Sequence, residues 1–163
     1  SSFFLPYLSG ERTPHNDPHI RGSFHAIKTT TDATNMQYAV IEGVSFGILD
    51  GVNSILKVND NFEKIFMVGG GSRSFFWIEL LASLLNRNLS VCDQSEYGAA
   101  LGVARLAMHS DKSIQNNNII KEITTSKDYF PSSNKSDMLM KRYQIWKDLY
   151  SANKNIASNL VSK

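Results

Sequence analysis

Three consecutive glycines, Gly69 to Gly71, are the residues whose type and spacing most directly suggest chemistry in this chain. They follow the short apolar run 65–68 and precede an amphipathic segment. A glycine loses more backbone entropy on folding than any other residue and adds no side-chain packing. Such a run is expected where the backbone turns sharply or where a flat or anionic molecule comes very close. A nucleotide is the obvious candidate for that molecule.

The spacing around these glycines allows three kinds of nucleotide site to be compared. No lysine follows the glycines, which excludes a phosphate loop of the Walker type. Gly69-x-Gly71-x-x-Ser74, with Asp93 about 20 residues further on, fits a dinucleotide site in which serine replaces the third glycine. In a third arrangement the backbone lies flat against an adenine or an α-phosphate, while the start of the next helix donates N–H groups. Local chemistry does not separate the last two.

A second polar segment, Leu8 to His15, is dense in hydrogen-bonding groups for a connection. Prolines and glycines interrupt residues 1–22, so we predict irregular structure there. We interpret the segment as an ordered surface loop that a network of Glu11 and Arg12 ties to neighbouring backbone. Contact with a ligand or with a facing domain is the alternative.

The histidines and the cysteine do not form a metal-site pattern. His15, His19 and His25 suit no single helix face, and no cysteine or carboxylate cluster converges on them. Cys92 is the only cysteine, so no internal disulfide forms and a reducing compartment is expected. We interpret Cys92 as a small buried hydrophobic residue at the end of a strand.

Alternating and helical periodicities predict α/β layers that position these residues. The first elements are a short strand at 22–27 and a long helix over about 32–57, with Thr31 as its predicted N-cap. The second half of that helix is apolar almost all round, so we expect it to be buried between layers. Glu42 lies in its middle and needs a partner there, for which we favour a structural hydrogen bond over catalysis.

Further elements follow the glycine-containing stretch. The strand at 64–68 is predicted to be central because its residues do not alternate. It is followed by a helix that starts at Phe75 and ends near 86–88, a strand at 89–92 and a helix over 96–109. On that last helix, Gly98 and Gly102 lie one turn apart, which suits either a cofactor or tight packing. Residues 110–134 are interpreted as a loop around a short segment at 119–123. A terminal amphipathic helix then carries a stripe predicted to pack in the core: Leu139, Tyr143, Trp146 and Tyr150.

Composition excludes several classes of protein. At 163 residues, 42% hydrophobic and 20% charged, the chain fits one domain with a real core and is neither disordered nor a membrane protein. A formal net charge of +2 predicts neither a nucleic-acid nor a membrane-surface partner. The apolar runs stop short of the ~18 residues that a membrane span needs. The first residues lack the pattern of a signal peptide. We therefore expect a cytoplasmic protein.

Beyond these patterns, the chain resembles the FGGY family of carbohydrate kinases, and within it the xylulokinases most closely. The resemblance lies in four segments: 4–15, 22–27 with 35–42, 68–74 with Trp77, and 96–107. The first carries Leu-Pro-Tyr-Leu-Ser-Gly-Glu-Arg-Thr-Pro-His without departure. The second departs at Ala26, where the family usually has glycine, and a small backbone adjustment is expected there. The third is similar to the adenosine motif of the family and the fourth to the connecting helix after it.

This resemblance implies an α/β, actin/hexokinase-like ATPase domain with an RNase H-like mixed sheet. Residues 1–163 would form the C-terminal domain of a two-domain sugar kinase, incomplete at its N-terminus. The family's ATP contacts fall on Gly70, Gly71 and Ser74, where many relatives have asparagine at the last position. Gly69 is expected to serve the turn, and Mg²⁺ to accompany the ATP.

The resemblance also implies what this chain lacks. The general base of the family, both phosphate-gripping loops and most of the sugar site lie upstream, so we expect no catalytic residue here and no activity of the chain alone. The implied partners are ATP, a pentulose such as xylulose and the missing first domain, and pairing with a second copy is left open. The alternatives are another FGGY sugar (ribulose, gluconate or glycerol), an NAD-binding dehydrogenase fragment, or an interaction domain that has lost nucleotide binding.

Overall fold

The computed structural model describes residues 2–58, 64–93, 97–111 and 124–161. Five strands and four helices are present in these ranges. The strands are β1 (Phe3–Leu5), β2 (Ser23–His25), β3 (Ile65–Met67), β4 (Leu89–Cys92) and β5 (Thr125–Tyr129). The helices are α1 (Ala33–Leu56), α2 (Phe75–Leu85), α3 (Gly98–Ser110) and α4 (Ser133–Val161), and a short 3₁₀ turn spans Gly70–Arg73.

The strands form two small sheets. β1 pairs antiparallel with β2, with Phe3 opposite His25. β3 runs parallel to β4, and β5 runs antiparallel to β4 on its other side. In the described residues the order is β3-β4-β5, so the prediction that β3 is the central strand is wrong, and β4 takes that position. β3 is only half-buried along its length, which agrees with an edge position.

Two strands lie where the sequence predicted irregular structure. β1 falls inside 1–22 and has only three residues before Pro6, too few to show a period. β5 falls inside the loop predicted at 110–134. Four of its five residues are exposed and only Tyr129 is buried, so the sequence has no apolar pattern there that predicts a strand. The segment predicted at 119–123 lies outside the described residues. The strand at 89–92 is confirmed at both ends. The second predicted helix is confirmed at its start and ends at Leu85, just before the predicted end near 86–88.

Helix α1 begins one residue later than predicted because Asp32, and not Thr31, is its N-cap. The Asp32 carboxylate accepts a hydrogen bond from the backbone N of Asn35 at 2.8 Å, which satisfies one of the unpaired donors of the first turn. The Thr31 hydroxyl instead accepts from the backbone N of Lys28 at 2.9 Å and closes the preceding turn. The predicted N-cap is therefore wrong by one residue.

Before that helix, Ala26 has φ 55°, in the left-handed region that favours glycine. The small backbone adjustment expected at Ala26 is therefore a strained, left-handed backbone conformation.

The main core lies between α1, α4 and β1. Leu139, Tyr143 and Trp146 of α4 are buried there with Phe46 of α1. The indole Nε1 of Trp146 donates to the carbonyl oxygen of Phe4 at 2.8 Å and joins α4 to β1. The predicted packing role of the α4 stripe is confirmed.

By length and composition, α1 is apolar enough to cross a membrane. It packs against β1, α2 and α4, and its buried residues lie between Ala39 and Asp50. The expected burial of its second half does not extend further, since none of residues 51–56 is buried and Ile55 is exposed. The helix also carries two buried carboxylates, Glu42 and Asp50, which are costly to bury without partners. Glu42 has the partner that the sequence required: Arg142 of α4 donates to both of its carboxylate oxygens at 2.6 Å.

Candidate nucleotide-binding site

The glycine stretch forms a tight turn between β3 and α2. Gly69 has φ 81° and ψ −172°, a conformation that is costly for any residue with a side chain. Its carbonyl oxygen accepts from both the backbone N (3.1 Å) and the hydroxyl (2.7 Å) of the buried Ser72, which closes the 3₁₀ turn. Gly69 therefore serves the turn, as expected.

Gly70 is exposed, and its φ does not lie in the left-handed region. A Cβ added to it would meet no described atom within 4 Å. Neither its backbone conformation nor packing among the described residues thus requires a glycine here. The exposed backbone at Gly70 is open to an approaching molecule.

Gly71 differs from its neighbours because a side chain of this chain already fills the space beside it. A Cβ added to Gly71 would lie 2.6 Å from Cζ3 of Trp77, closer than real Cβ atoms come, and 3.1 Å from Cε3, a tight contact. The Trp77 indole Nε1 in turn donates to the buried hydroxyl of Ser45 on α1 at 2.8 Å. The sequence did not reveal this contact, although Trp77 itself belongs to the adenosine-type motif.

Ser74 is half-buried and forms the N-cap of α2. Its hydroxyl oxygen accepts from the backbone N of Trp77 at 3.3 Å. A hydroxyl has one proton to donate besides its lone pairs, so Ser74 can still donate to a ligand at the helix start. The first turn of α2 also presents N–H groups and the positive end of the helix dipole, which favour an anion.

The start of α3 closes one side of this turn. A Cβ added to Gly98 would lie 3.8 Å from the Cβ of Val68 and 3.9 Å from the backbone N of Gly69, an ordinary contact distance. A Cβ on Gly102 would meet no described atom within 4 Å. Of the two glycines predicted to allow a close approach, Gly98 is the one beside the turn.

Asp93, the acid of the dinucleotide alternative, is an exposed residue at the end of β4, where its backbone N donates to the carbonyl oxygen of Thr124 at 2.9 Å. β5 continues from there antiparallel to β4. A dinucleotide-binding domain uses a mostly parallel sheet at this point, so the topology does not favour that alternative.

The predicted loop at 8–15 is ordered through Glu11. Its carboxylate accepts from the backbone N of His15 at 2.7 Å, and its backbone pairs with that of Asp17 at 2.8 and 2.7 Å. Arg12 is exposed and, across the part of the chain that the structure describes, adds no hydrogen bond to this loop. The network is therefore built by Glu11 and Asp17 instead of Glu11 and Arg12.

The three N-terminal histidines lie in different surroundings. His15 stacks on Tyr150 with ring centroids 3.6 Å apart, whereas the Nε2 of His25 bonds to Ser23 at 2.8 Å and to Asn153 at 2.9 Å. Among residues 2–58, 64–93, 97–111 and 124–161, no three His, Cys, Asp or Glu side chains are placed to hold a metal. Cys92 is buried at the end of β4, as predicted.

One further polar cluster was not expected from the sequence. The hydroxyl of Tyr143 donates to the carboxylate of Asp50, and His15 Nε2 lies 4.0 Å from the other oxygen. Burial raises the pKa of Asp50, and burial together with the Asp50 bond raises the pKa of Tyr143. The cluster joins α1, α4 and the 8–15 loop. The only sequence signal for it was an aspartate within an apolar helix.

With this turn, its capped helix and its mixed sheet, the chain belongs to the FGGY family of carbohydrate kinases: the C-terminal domain of that family matches residues 1–110. The predicted α/β fold of an actin/hexokinase-like ATPase domain is confirmed with it.

Individual sugar kinases also match this chain in sequence and structure. The xylulose kinase of Escherichia coli K12 is 30% identical over 151 residues, which cover 91% of this chain and 31% of that protein. A crystal structure of a xyloylose kinase from Brucella ovis matches with a TM-score of 0.82 and 35% identity over 96% of this chain and 32% of that one. A gluconate kinase from Lactobacillus acidophilus matches with a TM-score of 0.73 and 29% identity over 93% and 31%. The chain thus spans about a third of the length of the relatives it matches.

Proposed function

We propose that this chain is the ATP-binding part of a xylulokinase-like sugar kinase. In the full-length enzyme the γ-phosphate of MgATP is transferred to D-xylulose, which gives xylulose 5-phosphate. The observation that carries the nucleotide role is Gly70, an exposed glycine that the described structure does not itself require. The similarity to xylulose kinases supports the sugar.

In this proposal the three predicted contacts have different tasks. The backbone at Gly70 lies against the nucleotide, Gly71 continues that surface, and the Ser74 hydroxyl donates a hydrogen bond to it. The first N–H groups of α2 face the same side and favour the negative charge of the phosphates. Mg²⁺ comes with the ATP and neutralises phosphate charge during transfer.

Phosphoryl transfer depends on positioning and charge neutralisation around the γ-phosphate and on a group that takes the proton of the attacking hydroxyl. The resemblance places those groups upstream of this chain, so we expect the 163-residue chain to bind ATP without phosphorylating xylulose. Phosphorylation of xylulose by the purified chain, measured by coupled ADP release, would refute this. In the full-length enzyme, the partners are xylulose and the first domain, in the cytoplasm.

Titration calorimetry of the chain with ATP, ADP and NAD tests the nucleotide role. We expect ATP and ADP to bind and NAD not to bind, whereas NAD binding in place of ATP would favour the dehydrogenase alternative. Gly70→Val places a branched side chain on the open backbone and should weaken ATP binding about tenfold or more, a loss of roughly 1.4 kcal/mol.

The matched control is Gly51→Val on α1, since a Cβ there also meets no described atom within 4 Å. Gly51→Val should bind ATP as the unmodified chain does. If Gly70→Val also bound ATP unchanged, the non-catalytic interaction domain would become the better interpretation. The alternatives of ribulose, gluconate or glycerol as substrate are compared by assaying the full-length enzyme with each.

A further inference from the structure

We infer that Trp77 and Ser45 are positioning residues for the nucleotide turn, and that Gly71 is a glycine because of the Trp77 ring and not because of the nucleotide. This inference rests on the nucleotide role proposed above. It divides the three consecutive glycines into three physical roles, of which only the one at Gly70 is set by the ligand.

Trp77 holds the turn at two points. Its indole ring lies against Gly71, where an added Cβ would come within 2.6 Å of Cζ3. Its backbone N donates to the Ser74 hydroxyl at 3.3 Å and thereby orients the oxygen of that side chain. Two of the three proposed nucleotide contacts are thus held by one residue that need not touch the nucleotide itself.

The indole ring is anchored to α1 through Ser45. The Ser45 hydroxyl is fully buried, donates to the carbonyl oxygen of Ile41 at 2.7 Å and accepts from Trp77 Nε1 at 2.8 Å. The hydroxyl thus donates one hydrogen bond and accepts one, which fixes its direction. Since α1 is in turn bonded to α4, the position of the turn is set by the core of the domain.

A double-mutant cycle between Gly71 and Trp77 tests the role of this glycine. Gly71→Ala should weaken ADP binding about tenfold, because the methyl group displaces either the ring or the turn. In a Trp77→Leu background, the same Gly71→Ala change should alter the Kd for ADP less than twofold, because the atoms it would strike are gone. Equal effects of Gly71→Ala in both backgrounds would show that the nucleotide requires the glycine, and would overturn the inference.

Ser45→Ala tests the anchor, and Ser54→Ala is its matched control. Ser54 lies on the same helix and also donates to a carbonyl four residues back, that of Asp50, at 3.0 Å, but it accepts no bond from a tryptophan. Ser45→Ala should weaken ADP binding about fivefold, whereas Ser54→Ala should leave it within twofold. Equal losses in both variants would mean a general effect on α1 and would contradict the positioning role.

A spectroscopic readout separates positioning from loss of stability. The chain has two tryptophans, so its ¹⁵N correlation spectrum carries two indole N–H signals. Ser45→Ala should shift the Trp77 signal and leave that of Trp146, which is bonded to Phe4, in place. Addition of ADP to the unmodified chain should shift the Trp77 signal as well.

The failures of the two proposals are distinguishable. If ADP does not bind the unmodified chain, the nucleotide role fails and the positioning role fails with it. If ADP binds but the Trp77 signal moves neither with ADP nor with Ser45→Ala, only the positioning role is wrong. Should Gly71→Ala fail to fold, the comparison of Ser45→Ala with Ser54→Ala decides.

Discussion

Replacing Arg142 with methionine should strongly destabilise the domain, because it leaves the buried carboxylate of Glu42 without its partner. Arg142 donates through Nε and Nη2 to both oxygens of Glu42 at 2.6 Å, and through Nη2 to the carbonyl oxygen of Ser2 at 3.1 Å. The Glu42 side chain is 1% exposed, so no water can replace the lost partner without rearrangement. The hydrogen bonds and charge of Glu42 raise the pKa of Arg142, so the guanidinium stays charged at neutral pH.

Removal of one member of a buried ion pair costs about 3–5 kcal/mol, because the other charge is left buried and unpaired. For a domain with about 5–15 kcal/mol of total stability, this is a large fraction. At about 2–4 °C per kcal/mol for a chain of this size, Arg142→Met should lower the Tm by roughly 6–20 °C. Urea denaturation, followed by the fluorescence of the buried Trp146, measures the free energy of unfolding directly.

Two variants show whether the buried carboxylate is the cause. Lys141→Met changes the same kind of residue one position earlier, where the side chain is exposed, and should alter stability by less than about 0.5 kcal/mol. Glu42→Gln combined with Arg142→Met removes the unpaired charge and should recover part of the loss. A loss below about 1 kcal/mol in Arg142→Met, or no recovery in the double variant, would refute the reasoning.

Two pH-dependent predictions follow from other carboxylates. Burial raises the pKa of Asp50, so the folded chain holds that proton more tightly than the unfolded chain. The contribution of Asp50 to the free energy of unfolding is full below the ordinary pKa of about 4 and is lost as the pH rises through the pKa of the folded state. Asp50→Asn should remove this pH dependence from the free energy of unfolding, measured by urea denaturation at a series of pH values. Bonds from Asn35 lower the pKa of Asp32, so its capping contribution is present above about pH 4 and lost on acidification. Asp32→Ala should therefore lower the Tm at pH 7 more than Thr31→Ala does, and the Tm of Asp32→Ala should then fall less on acidification than that of the unmodified chain. Equal effects of the two variants would contradict Asp32 as the N-cap.

Sequence periodicity predicted the elements that carry an apolar signal of their own. α2 and β4 are found close to the predicted bounds because α2 carries a run of apolar residues, most of them buried, and β4 is a short segment with a buried apolar residue at each end that follows the turn at 86–88. β5 has no such signal, since it pairs with β4 through its backbone while four of its five residues are exposed. The choice between Thr31 and Asp32 as N-cap was not predictable either, because both types cap helices and only the path of the preceding turn separates them.

Hydrogen-bond partners that lie far apart in the chain could not be predicted from the sequence either. Burial of Glu42 could be predicted from the apolar surface of α1, and with it the need for a partner. The identity of that partner could not, because Arg142 lies 100 residues away on a helix whose orientation is set by the whole core. The same holds for the bond between Trp77 and Ser45, whose residues are 32 positions apart.

The glycine run illustrates why residue type alone does not define a binding site. Residue type alone gives all three glycines the same two explanations, a sharp turn or a close approach. In the structure, Gly69 is explained by a positive φ, Gly71 by the indole ring beside it, and Gly70 by neither. A site that binds through its backbone needs at least one glycine with no internal reason to be one, and Gly70 meets that condition. Substitutions at Gly69 and Gly71 would disturb the turn whether or not a nucleotide touches them, so a variant at Gly70 is the more direct test of the contact itself.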